Sequence, residues 1–496
     1  MSVLQTTHTT DNPGEGSFHV GRITAVLTMS GFFCMLNETV LNMSLNSIMS
    51  QFGISAVTAQ WLSTGYMLIM GISIPVSAFF IQTIKTKQLY VTSMLIFIFG
   101  TLVCGFAPAF PLLFAGRLIQ AIGTGLLIPN IVNTLIVINP VEKRGKALGV
   151  FNLVMFFAPA VGPVLSGIIV QFLNWRWLFF TILPFSVVAL IFGIVYLENV
   201  TELSKPHLDL ISVLLSTLGF GGLIYGASNL GSGQMGLVTV PLVISVVALL
   251  LFGLRQLNLK EPMLDIRAFQ YPMFTIGTLL IIIMHMVNFA IMLLLPLFME
   301  GAMGLSAFTA GLIMLPGGII NGIVAPISGS IYDKYGPKVL IFPGFLISAA
   351  VFFTLSHVMT VSISIPVIIT LHCLSLIAVG MINTPTQTNS LNQLTPALYP
   401  HGTAITNTLQ QIGGAFGTSL FIAIMTAGQK SFLSGTAAKN PASQAQGLAA
   451  GVRQSLTVAF FILIIGVILA FFVRRSTNKK VESRFHEEDI SAAQEG

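Results

Sequence analysis

Fourteen apolar runs of about 20 residues, parted by short polar breaks, fill most of this 496-residue chain. In lipid no water is available to the backbone, so a run of this length crosses as a helix that satisfies its own N–H and C=O groups. The runs lie near 22–48, 58–82, 89–108, 112–136, 146–171, 177–197, 209–229, 234–255, 273–299, 306–332, 338–357, 362–391, 402–428 and 454–473. Only 8% of residues are charged and 54% are hydrophobic, whereas a soluble domain carries about 25% charge. The expected class is therefore an all-α polytopic membrane protein with 14 transmembrane helices. The first 20 residues hold no apolar core of a signal peptide, so insertion through the first span itself is expected.

An even number of spans places both termini on one side. Seventeen of the 22 Lys and Arg fall on the face that holds the termini, four on the other, and Arg117 lies within a span. Basic residues collect on the cytoplasmic side, so both termini are expected there. The net charge of +6 follows this topology and gives no reason to expect nucleic acid. The three cysteines, Cys34, Cys104 and Cys373, sit in apolar runs, where small hydrophobic packing residues are expected rather than a disulfide or metal site.

The longest breaks on the basic face, 198–208 and 256–272, bracket a helix pair poor in polar residues. The expected organisation is a tail over 1–21, a six-helix bundle over 22–197, a two-helix insert with linkers over 198–272, a second six-helix bundle over 273–474 and a tail over 475–496. The segment 429–452 is expected to be the longest external loop. The break after the second span reads Ala78-Phe-Phe-Ile-Gln82-Thr-Ile-Lys85-Thr-Lys87, and the break after the tenth reads Gly329-Ser-Ile-Tyr-Asp333-Lys334-Tyr-Gly336-Pro-Lys338. Similar loops in equivalent places imply duplicated halves around a midplane site.

Charge inside the spans is scarce. Glu38, in the first span, is costly in lipid by roughly 2–3 kcal/mol on insertion scales, and such a group normally faces a bundle interior or a water-filled cavity. Glu38, Asn42 and Asn46 recur every fourth residue and give that helix a polar stripe. Arg117, in the fourth span, reads either as a buried functional cation or as a side chain reaching the external interface. Glu300, at the external end of the ninth span, is a solvated carboxylate or a second proton site. His285 and His372 are packing residues or proton relays. Tyr66, Asn133, Phe156, Asn288, Asn383 and Gln387 are candidate walls of a substrate cavity, each equally able to make helix–helix contacts. No G-x-x-x-x-G-K-[ST] loop occurs, so a nucleotide engine is not expected, and neither is a catalytic or metal site.

Four motifs carry a family resemblance. Residues 329–338 resemble the G-x-L-a-D-r-x-G-r-k loop of the major facilitator superfamily. Arg117-Leu-Ile-Gln120-Ala-Ile-Gly123-Thr-Gly125 is similar to its R-x-x-Q-G-x-G pattern. Ala158-Pro159-Ala-Val-Gly162-Pro163-Val-Leu-Ser166-Gly167 resembles its antiporter signature. Leu36-Asn37-Glu38-Thr39-Val40-Leu41-Asn42 resembles the L-D-x-T-x-x-N pattern of the fourteen-helix drug:proton antiporter (DHA2-type) multidrug efflux branch, with Asn37 at the acid position and the acid one residue later.

The resemblance implies alternating-access efflux of amphipathic, neutral or cationic drugs in exchange for protons across a bacterial cytoplasmic membrane. The proton gradient is then the energy source, with no cofactor, and a monomer is the expected working unit. It assigns proton coupling to Glu38 and Arg117. Gating falls to Asp333, Gly329, Gly336, Lys338, Gly162, Pro163 and Gly167. Export of one endogenous fatty acid, peptide or siderophore, or a non-transporting sensor on the same scaffold, are the alternatives.

Overall fold

The computed structural model describes residues 20–54, 56–200, 203, 209–228, 235–434 and 440–476. Every regular element among them is helical. The helices are α1 (Val20–Val40), α2 (Leu45–Phe52), α3 (Ala56–Thr83), α4 (Thr86–Gly105), α5 (Phe110–Ile138), α6 (Arg144–Phe172), α7 (Arg176–Tyr196), α8 (Leu210–Ser216) and α9 (Gly222–Ser228). They continue with α10 (Met235–Asn258), α11 (Pro272–Gly301), α12 (Ala307–Tyr335), α13 (Lys338–Val358), α14 (Ile365–Asn392), α15 (Tyr399–Ser434) and α16 (Pro441–Phe471). A 3₁₀ turn over Leu41–Ser44 joins α1 to α2, and a π turn over Thr217–Gly221 joins α8 to α9. The sixteen helices thus form fourteen rods, one on each apolar run. Among the described residues, twelve helices are long and apolar enough to cross a membrane, and Leu210–Gly226 is a shorter apolar helix. The tails 1–19 and 477–496 lie outside the described residues.

Before the insert, α1 packs on α6, α3 on α5 and α4 on α7; after it, α11 packs on α15, α12 on α14 and α13 on α16. The same pairing order therefore recurs, first with fifth, second with fourth and third with sixth. Small residues make these contacts close, as expected where lipid supplies no hydrophobic drive between helices. On α5, Gly123 lies against the backbone of Ser93 and Phe97 on α4, and Gly125 against Ser73 and Met70 on α3. The two halves meet most extensively along α6 and α12, and again along α3 and α15.

The insert packs on this second seam, with α9 touching both α3 and α15. Its base is clamped by charge. Asp209 accepts from Arg255 Nε at 2.5 Å and Nη2 at 2.9 Å, and from Ser212 Oγ at 2.6 Å. Gln256 Nε2 then donates to Ser212 Oγ at 2.6 Å.

One expectation is corrected. Residues 429–452 are not a long loop: α15 runs to Ser434 and α16 starts at Pro441. The Ala- and Gln-rich sequence favours helix beyond the apolar run, Pro441 suits a first helical position, and Asn440 caps it by accepting from Ala442 N–H at 3.2 Å.

Arg255 beside Asp209 holds that carboxyl down from 3.8 to about 2. A depressed folded-state value means the clamp stabilises above the unfolded value and is lost only as pH falls through about 2. Acidification to pH 4 is therefore expected to leave amide protection of Leu210–Ser228 and Met235–Asn258 intact, while Asp209→Asn lowers it at neutral pH. Hydrogen exchange of both proteins checks this.

Candidate functional site

A cavity of about 480 Å³ lies between the halves. Glu38 on α1 contributes its carboxylate, and α11 contributes His285, Asn288 and, toward the end away from the basic face, Glu300. Asn383 and Gln387 line it from α14, and Gln410 and Gln411 from α15. Methionines 35, 67, 70, 155, 292 and 314 supply much of the remaining wall. The sequence-predicted residues Glu38, Asn288, Asn383, Gln387, His285 and Glu300 are thus brought to one space from three helices far apart in sequence.

Glu38 and Arg117 do not form an ion pair; the ion pairs among the described residues are Asp209–Arg255 and Arg267–Asp265. Arg117 is fully buried behind the cavity wall. Its Nη1 donates to the Asn37 carbonyl at 3.3 Å and to Gln120 Oε1 at 3.0 Å, and its guanidinium lies 4.2 Å from the Tyr66 ring centroid. Gln120 Nε2 donates to Asn37 Oδ1 at 3.4 Å. Asn37 therefore occupies the slot beside Arg117 and Gln120. One residue turns a helix by about 100°, which is why the next residue, Glu38, is half-buried in the cavity wall instead.

Toward the basic face the cavity is closed. Asn152 Nδ2, on α6, donates to Thr384 Oγ1 at 3.0 Å and Gln387 Oε1 at 3.5 Å across its floor. Beyond it, Asp333 caps the start of α6: Oδ1 accepts from Gly145 N–H and Oδ2 from Lys146 N–H, both at 2.9 Å. A carboxylate at a helix N-terminus gains from the helix dipole as well as from the hydrogen bonds. Gly329 permits this approach, because a Cβ there would overlap the Gly145 carbonyl. Gly336 ends α12 at φ +84°, a backbone conformation that favours glycine.

Arg144 is 7% exposed and donates across the halves to Asn392 Oδ1 at 3.1 Å and Tyr399 Oη at 2.9 Å. Sequence reading missed Arg144 and Asn152; their only signal was a polar residue at the start of an apolar run.

The remaining candidates take other places. Tyr66 is buried and donates to Thr124 Oγ1 at 2.8 Å, and Asn133 is buried on α5; neither lines the cavity. The side chains of Asn42 and Phe156 lie outside the described residues. Gly162 faces Thr39, next to Glu38, and a Cβ there would overlap the Thr39 hydroxyl. Pro163 and Gly167 continue α6. Lys338 lies with Nζ 5.5 Å from the Phe471 ring centroid.

This two-halved helical cavity, closed at one end by a loop between helices, has the form of a transporter. The Major Facilitator Superfamily model matches residues 27–418. Lincomycin resistance protein LmrB of Bacillus subtilis is 46% identical over 456 residues, covering 90% of this chain and 95% of the relative. The protein of the same name from Listeria monocytogenes is 42% identical, covering 92% and 97%. The proton:xylose symporter XylE superposes with a TM-score of 0.63 at 15% identity, covering 92% of this chain and 96% of that one, and so shares the fold. The chain belongs to the major facilitator superfamily, and within it to the drug-efflux type that resembles these relatives. It is a transporter and not an enzyme, a multi-pass protein of the bacterial plasma membrane.

Asp333→Asn would leave one α6 N–H facing an amide NH₂, shifting the latch toward opening by about 1–3 kcal/mol. Spin labels at Lys143 and Lys334 are expected to show a larger long-distance population in that variant, and an unchanged distribution would mean the latch does not hold the face shut.

Proposed function

We propose that this transporter exports amphipathic drugs in exchange for protons, by alternating access, with Glu38 as the proton carrier. The observation that carries the reading is a lone carboxylate of the first half, without an ion-pair partner among the described residues, half-buried in the wall of a cavity sealed toward the basic face. A charged group in that position is unfavourable unless solvated, protonated or matched by a cationic substrate. Proton and substrate then compete for one group, which couples their movements in opposite directions.

In the cycle, the state described here has its basic face closed by Asp333, Arg144 and Asn152. Substrate leaves from it toward the outside and Glu38 takes up a proton. Opening of the α6–α12 seam next exposes the cavity to the cytoplasm, where substrate binds and the proton departs. Gly162 packs α6 against Thr39, next to Glu38, so occupancy of the carboxylate is felt by the helix that carries Arg144 and Asn152. Arg117, held by Asn37 and Gln120, sets the position of the backbone next to Glu38. The methionine-rich wall, pliable and polarisable, suits varied apolar surfaces. The names of the two relatives support lincomycin as a first substrate to test.

Inverted membrane vesicles energised by a pH gradient test this. Wild type is expected to accumulate lincomycin, and Glu38→Gln to lose gradient-driven uptake while still binding the drug. Full gradient-driven transport by Glu38→Gln would sink the proposal.

A further inference from the structure

The polar atoms of the cavity wall are unevenly served. Asn288 on α11, Asn321 on α12 and Asn383 on α14 are each at least nine-tenths buried, and their side-chain oxygens have no hydrogen-bond partner among the described residues. His372 Nδ1, also on α14, is likewise unpartnered. All four residues line the cavity, and all belong to the second half of the chain. On the opposite wall Asn152 is bonded across the floor and Thr39 to its own helix. A buried polar group left without a partner costs stability, so four on one wall need an explanation beyond packing.

We infer that α11, α12 and α14 form an acceptor wall that reads hydrogen-bond donors on the substrate, the hydroxyl, ammonium or amide N–H groups of an amphiphile. The wall lies across the cavity from Glu38. A substrate with donors on one end and an apolar body would fill both sides: donors against Asn288, Asn321 and Asn383, the body against the methionines. An amide turns easily about its terminal torsion, so each oxygen can swing toward a bound donor. A purely apolar cation would use Glu38 and the methionines and leave the acceptor wall unmatched. Discrimination of this kind is large where a site built to hydrogen-bond meets a ligand that lacks the group.

This inference rests on the export reading above, and the test separates the two. Lincomycin, which carries hydroxyl and amide N–H donors, and tetraphenylphosphonium, which carries none, are titrated calorimetrically into the purified full-length protein. The proteins compared are wild type and the double variant Asn288→Leu with Asn383→Leu, close in shape to the original side chains. Each lost neutral hydrogen bond weakens binding by about 2- to 10-fold. The ratio of the lincomycin Kd to the tetraphenylphosphonium Kd is therefore expected to rise about fivefold or more in the double variant. The Tm of the ligand-free double variant is expected not to fall, because unpartnered groups have been removed. An unchanged ratio overturns the inference. So does a lowered Tm, which would mean the amides have structural partners. Wild type binding tetraphenylphosphonium but not lincomycin overturns the acceptor wall alone, whereas wild type binding neither overturns the export reading and the wall with it.

Discussion

The contact between the start of α6 and the end of α12 holds the present state together. Gly329 lets the two backbones approach, and the Asp333 carboxylate then satisfies two N–H groups that a helix start leaves open. Arg144, the first residue of α6, and Asn152, about two turns further along, add hydrogen bonds to α14 and α15. All of these are hydrogen bonds, several of them between buried groups, and none is an ion pair. This is the seam that the proposed cycle requires to open.

The arrangement around residue 37 shows how one register shift divides labour between neighbours. Asn37 accepts from Gln120, and its carbonyl accepts from Arg117, so a buried cation is held without a carboxylate at that spot. The acid, one residue on, is left to the cavity. Glu38 itself lines the cavity with no ion-pair partner among the described residues, which is the feature the proposed proton exchange relies on.

The insert sits on the other seam, across α3 and α15, with its base clamped by Asp209 and Arg255. It therefore covers from the side the boundary where Met70 and Gln411 of the cavity wall meet. Methionines line the cavity from both halves, Met35, Met67, Met70 and Met155 from the first and Met292 and Met314 from the second, beside the unpartnered amides of α11, α12 and α14.

Helix content, the position of each rod and the presence of a buried acid were legible in the sequence, because lipid forces every apolar run of this length into a helix and makes charge within it expensive. The turn at the end of α12 was legible because Gly336 supplies its positive φ locally, whereas the partner that Asp333 and Gly329 meet, the start of α6, was not. What the sequence could not decide was which residues face each other. Arg144 is buried between the halves, residues 429–452 read as loop and are largely helical, and Tyr66 and Asn133, readable as cavity walls or as helix–helix contacts, take the second place. These depend on the rotation of each helix about its axis and on which partner it meets, and both are set by packing between segments hundreds of residues apart.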